Sequence, residues 1–245
     1  MDHINAKIRA KKARLITGSG YRILCQSQST EHFFAQLKTY PSYTNARIPM
    51  SMTEEMDRMR LFFTGVGAAF DAGLTVGSLM RLISFEKDHL QAWSYIKTLP
   101  NGSNRQVLTY IKGTEIDLHN ILCIYRLKRY YPEAEVYPHL IPVFYRLNKE
   151  ALKQMAESPG IAEFIVHLRH NCYGHIFGSF ENPKSAVSQT MKLTFARMVK
   201  RYPGSIAGML GYFFDKRIEI ENLTAIMEGV RYRLPSDEIF SRLIM

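Results

Sequence analysis

Apolar residues recur at helical steps along most of this chain, and few stretches alternate strictly over five or more positions. Leu118, Ile121, Leu122 and Tyr125 stand at i, i+3, i+4 and i+7, and so do Leu223, Ile226, Met227 and Val230. Each set predicts an amphipathic helix facing a core. Phe33, Phe34 and Leu37 predict a helix over 29–39 with Ser29 as its N-cap. Ser51 and Glu54 form a capping box ahead of Met56, Met59 and Phe62. Leu90, Trp93 and Ile96 predict a helix over 86–98, broken by Pro100-Asn101-Gly102. Asn148 caps a helix over 149–157 that Ser158-Pro159-Gly160 ends. Ile161, Phe164, Ile165 and Leu168 predict another over 161–171. Further helices are expected at 186–201 and 206–215, with a short closing one from Pro235-Ser236. The fold class is therefore all-α.

One of these helices is written twice. Residues 108–130 read against 210–232 at a constant offset of 102, which pairs Tyr110 with Tyr212, Asp117 with Glu219 and Asn120 with Asn222. The same offset pairs Arg129 with Arg231 and Tyr130 with Tyr232. Seven positions in that window are identical, against about one or two expected from ordinary composition. Duplication at a long period means one structural unit built twice, which suits a scaffold better than a single catalytic cleft. The apolar pattern restarts near Pro138–Pro142, so an N-terminal lobe over 1–140 and a C-terminal lobe over 141–245 are expected. Each would be long enough to bury a core of its own.

Composition narrows the class. Apolar residues are 46% and charged residues 22% of the 245, as in ordinary globular proteins. Bases outnumber acids 32 to 22, a net charge of +10, which suits an acidic protein, a nucleic acid or an anionic membrane face without choosing among them. The first basic run, Lys7 to Arg14, reads as a solvated helix face or as a phosphate-binding arm. Cys25, Cys123 and Cys172 cannot all pair within one chain and form no CxxC, which points to a reducing, cytoplasmic setting. No apolar stretch follows the basic start, so no signal peptide is expected. Residues 61–80 approach spanning length, but Asp71 at their centre and four glycines argue for a buried helix pair rather than a membrane span.

Reactive constellations fail one by one. His167, His170, Cys172 and His175 lie close in sequence yet match no usual zinc spacing. Gly65-Val66-Gly67 lacks the third glycine of a dinucleotide loop, and neither GxxxxGK[ST] nor GxSxG occurs. No catalytic residue, metal or cofactor is expected. The duplicated Asp117 and Glu219 read as folding residues near a helix start, where negative charge is favourable. The duplicated Arg-Tyr pairs read as packing residues that bond helix-end carbonyls.

The stretch from Glu115 to Tyr130, the C-terminal stretch Ile218 to Ile239, the block Leu140-Ile141-Pro142 through Leu147, Leu168 and Tyr173, and the opening Arg14…Tyr21…Leu37…Tyr43 together resemble the central-stalk C subunit of V/A-type rotary ATPases, called the d subunit in eukaryotes. The resemblance covers most of the chain except roughly 50–85. It implies a funnel-like, all-helical protein of repeated lobes. This chain shows two such lobes rather than the family's usual three. It also implies a non-catalytic socket on the cytoplasmic face, peripheral to the membrane. Its partners would be the central-shaft subunits and the membrane rotor ring for proton or sodium transport. The competing reading is a basic helical-repeat protein that binds nucleic acid, motivated by the interleaved Tyr125-Arg126-Leu127-Lys128-Arg129-Tyr130-Tyr131. A metal-dependent hydrolase using the histidine cluster is the third.

Overall fold

A computed structural model describes residues 2–44, 88–174 and 183–245. Every regular element among them is helical. They are α1 (Asp2–Lys12), α2 (Gly18–Cys25), α3 (Thr30–Leu37), α4 (His89–Thr98), α5 (Ser103–Tyr130), α6 (Lys149–Glu157), α7 (Ile161–Arg169), α8 (Pro183–Arg201), α9 (Ala207–Arg231) and α10 (Ser236–Ser241), with a 3-10 turn at Tyr137–His139. The capping box at Ser51, the glycine-rich stretch 61–80 and His175 lie outside the described residues. Among the described residues no helix is long and apolar enough to cross a membrane.

Two of the expected helix caps form. Ser29 accepts the His32 amide at 3.2 Å and Asn148 accepts the Ala151 amide at 2.7 Å, each satisfying an amide with no partner inside its own helix. Asp88 does the same for Gln91 at 2.9 Å, a cap not anticipated from the sequence. The helix expected over 206–215 does not stop there. It continues through the whole duplicated stretch as the 25-residue α9, just as residues 108–130 lie on the 28-residue α5.

The chain divides into two compact units, one of residues 1–70 with 204–245 and one of residues 71–203. In the first, α9 is packed by α1, α2, α3 and α10. Leu223, Ile226 and Val230 of α9 meet Tyr21, Leu24, Phe33, Leu37, Tyr43 and Ile239 in one buried cluster. In the second, α5 is packed by α4, α6, α7 and α8. Both long helices are buried on most of their circumference. Along α5, Ile111, Gly113, Thr114, Ile116, Asp117 and Leu118 are all buried, so the apolar stripe seen in the sequence is only part of the inward surface.

The units run otherwise than a division between 140 and 141. Residues 141–147 follow α5 and bond back onto it, so the restart of the apolar pattern at Pro138–Pro142 marks a turn inside a unit. The opposite unit is assembled from both chain ends, because residues 16–43 pack on α9.

Candidate functional site: a buried clamp on each long helix

Asp117 lies in the middle of α5, not near its start, and its side chain is fully buried. One carboxylate oxygen, Oδ2, accepts three hydrogen bonds: from the Arg146 amide at 2.9 Å, the Leu147 amide at 3.3 Å and the Tyr173 hydroxyl at 2.9 Å. One turn further on, Asn120 pairs with the backbone of Ile141 in both directions. Its Oδ1 accepts the Ile141 amide at 2.8 Å and its Nδ2 donates to the Ile141 carbonyl at 3.0 Å. A strand partner would offer the same two bonds. The asparagine supplies them from a helix, which lets an irregular loop be buried without orphaned backbone groups.

The other unit repeats the arrangement with a longer acid. Glu219, mid-helix in α9 and 1% exposed, accepts the Ile16 amide at 2.8 Å and the Tyr43 hydroxyl. Asn222 brackets Ile244, accepting its amide at 2.9 Å and donating to its carbonyl at 2.9 Å. Lys216, also buried, donates to Glu219 Oε1 at 2.7 Å and to the Tyr43 hydroxyl at 2.8 Å.

Burial is the main perturbation of the titrating groups here. It pushes the Asp117 carboxyl above the usual range, opposed by the bonds from the Arg146 amide, Tyr173 and the Leu147 amide. Burial, then the Asp117 charge, raises the Tyr173 hydroxyl, and burial, then the Glu219 charge, raises Tyr21. The Cys25 thiol is pushed up to about 11 by burial, which makes it a packing residue rather than a nucleophile. Each clamp acid is thus engaged in structural bonds through at least one oxygen, which leaves it poorly suited to proton transfer with a substrate.

The remaining duplicated residues separate into two kinds. Tyr110 and Tyr212 belong to the packing: Tyr212 is buried, and Tyr110 receives a bond from Arg197 Nη1 at 2.9 Å and meets the Tyr145 ring at 6.1 Å. The Arg-Tyr pairs are not packing residues. Tyr130 is 66% exposed and Tyr232 72% exposed, and Arg129 and Arg231 are exposed beside them. Arg129 stacks over Tyr130 at 5.9 Å. The carbonyl-bonding role expected of Arg129 falls to its neighbour Lys128. Its ammonium donates to the Ala156 carbonyl at 2.8 Å and to the Ser158 carbonyl at the end of α6.

Of the histidine cluster, His167, His170 and Cys172 lie among the described residues. His170 Nδ1 is tied to the Val166 carbonyl at 2.8 Å, and among the described residues no three His, Cys, Asp or Glu side chains could hold a metal ion.

Sequence reasoning found the acid and the asparagine of each clamp but missed the groups they hold. A second correspondence would have shown one held amide of each clamp, that of Ile16 and that of Leu147. At an offset of 131, Ile16 meets Leu147, Ser27 meets Ser158, Phe33 meets Phe164 and Leu37 meets Leu168, and all eight are buried.

These features define an all-helical protein in which a mid-helix acid and asparagine pin a loop and a tyrosine onto each of two long central helices. Residues 87–242 match the ATP synthase (C/AC39) subunit family, and the chain belongs to it. It is similar to the A-type ATP synthase C subunit of Methanobrevibacter smithii, with 25% identity over 173 residues, 66% of this chain and 45% of that one. The same A-type ATP synthase component of Archaeoglobus fulgidus is 31% identical over 143 residues, 56% of this chain and 41% of the relative. That of Methanosphaera stadtmanae is 26% identical over 156 residues, 59% of this chain and 40% of the relative. The chain thus spans less than half the length of these relatives.

Proposed function

We propose that this chain is a non-catalytic central-stalk component of a V/A-type rotary ATPase. It couples the rotating shaft to the membrane ring that translocates protons or sodium ions. It works at the cytoplasmic face, peripheral to the membrane, with shaft and ring subunits as partners. The family match carries this reading, and the clamps give it a physical basis. A torque coupler needs a stiff body, and close-packed interiors transmit strain. The acids that a hydrolase would use for proton transfer are here engaged in holding backbone: Asp117 holds Arg146 and Leu147, and Glu219 holds Ile16. The two lobes of the resemblance correspond, on this reading, to the two compact units.

The net charge of +10 favours association with acidic partner surfaces. Affinity capture with purified shaft and ring subunits, repeated over a salt series, tests the reading. Stoichiometric capture that weakens with salt is expected. Failure to bind either one at low salt, with the chain shown to be folded by circular dichroism, overturns it. Tight, saturable binding of single-stranded oligonucleotides would favour the nucleic-acid reading instead.

A further inference from the structure

A cavity of about 410 Å³ lies between the start of α5 and the end of α8, lined by Arg105, Gln106, Tyr110, Tyr145, Arg201 and Tyr202 among others. We infer that this cavity and the adjoining face of α8 form a docking site for an acidic, amphipathic segment of a partner polypeptide.

The lining carries two guanidinium groups and no carboxylate. Arg105 is held in place by neutral acceptors, the Leu99 carbonyl at 3.1 Å and Asn101 Oδ1 at 2.7 Å, so its charge is fixed in position without being neutralised. Arg201 stacks on Tyr202 at 5.6 Å, and Arg197 bonds the Tyr110 hydroxyl at the cavity wall. Among the described residues no carboxylate is paired with any of these three arginines. Planar guanidinium groups held this way suit carboxylate recognition.

The cavity does not end at its rim. α8 carries Lys184, Lys192, Arg197, Lys200 and Arg201 and not one aspartate or glutamate. Leu193, Arg197, Lys200 and Arg201 stand at i, i+4, i+7 and i+8, which places them on one face of the helix, and Arg201 leads that face into the cavity. Leu193 is 67% exposed on it. A small inorganic anion would use the arginines and leave Leu193 uncovered. A segment with carboxylates and leucines at helical spacing engages both. The inference rests on these charges and this exposure, not on the rotary-ATPase reading, and either can fail without the other.

The test is fluorescence anisotropy on the intact chain with a labelled helical peptide of glutamate and leucine at i, i+3 and i+4 spacing. Saturable binding that weakens with salt is expected. Arg201→Gln should lower affinity about tenfold, since loss of one charge-assisted contact at a recognition site has that scale. Leu193→Ser should lower it by a smaller factor, and Arg242→Gln, in the other unit, should leave it unchanged. Both Arg201 and Leu193 are exposed, so these variants keep the fold, which circular dichroism verifies. Three results would each overturn the inference. The first is equal binding of the same peptide with glutamine in place of glutamate. The second is an unchanged affinity in Arg201→Gln. The third is displacement by millimolar inorganic phosphate together with indifference to Leu193→Ser, which would make this a small-anion site.

Discussion

Lys216 places its ammonium 2.7 Å from the Glu219 carboxylate, with both side chains all but excluded from water. The position matching Lys216 on the other long helix is Thr114. The Thr114 hydroxyl and Asp117 Oδ1 are buried with no hydrogen-bond partner. The two clamps therefore share a geometry but not a charge balance. One holds a neutralised ion pair, the other a lone carboxyl stabilised by backbone amides and a tyrosine.

Removing one member of the balanced pair should be costly. Lys216→Met leaves the Glu219 charge buried and uncompensated, and loss of one partner of a buried pair destabilises by about 3–5 kcal/mol. The Lys216→Met/Glu219→Gln double variant removes the stranded charge and should recover a large part of that loss. Denaturant unfolding of both variants measures the difference. A double variant no more stable than the single one would show that the ion pair itself, rather than the stranded charge, matters.

Asp117 makes the stability of the fold depend on pH. Burial raises its folded-state affinity for a proton above that of the unfolded chain, despite the bonds from the Arg146 amide, Tyr173 and the Leu147 amide. The folded state then binds the proton at higher pH than the unfolded state does. The stability advantage is fully present below the ordinary carboxyl range and is lost as pH rises through the folded value. The wild type should accordingly gain stability relative to Asp117→Asn as pH falls from neutrality towards the ordinary aspartate range. Unfolding midpoints of both proteins across that window give the comparison. Parallel curves would mean that the carboxyl is ionised throughout.

Much of this fold was legible because it rests on local rules. Ser29 and Asn148 cap helices where a side-chain oxygen preceding an apolar run says they should. The repeat located both clamp acids and both clamp asparagines, since a constant offset keeps the three-residue spacing of acid and asparagine within each helix. Two things were not legible. A buried acid at mid-helix carries no local mark, because its partners lie far away in sequence: Glu219 binds Ile16 across 203 positions. Side-chain charge alone suggested a helix start instead. The unit boundaries were hidden for the same reason, as the partners of α9 come from the other end of the chain. The exposed Arg-Tyr pairs were misread as packing because the sequence cannot tell the last turn of a helix in contact from one in water.

Glycine positions divide sharply by what lies opposite. A Cβ on Gly113 would collide with the Tyr145 ring, and one on Gly229 would sit 2.6 Å from Ile239. Nothing lies within 4 Å of the corresponding point on Gly102. Gly113→Ala forces apart α5 and the loop that Asp117 and Asn120 hold, and overpacking of this kind costs about 1–3 kcal/mol. Gly102→Ala should be close to neutral. Thermal melts of the two variants side by side would show the contrast, and equal melting temperatures would mean that the Tyr145 ring moves aside freely.

The end of α9 contains an avoidable strain. Arg233 adopts φ 56°, the left-handed conformation that side chains with a Cβ disfavour. It does so to close the helix: the Leu234 amide reaches the Gly229 carbonyl at 2.9 Å and the Arg233 amide the Val230 carbonyl at 3.1 Å. This paired closure usually has glycine at the left-handed position. Arg233 is exposed, so replacing it removes no buried contact. Arg233→Gly should relieve about 1 kcal/mol of backbone strain, partly offset by the greater freedom of glycine in the unfolded chain. The net expectation is a small rise in melting temperature. Arg233→Ala, which keeps the Cβ, should show no such rise, and equal gains from the two variants would place the effect in the lost charge rather than in the backbone.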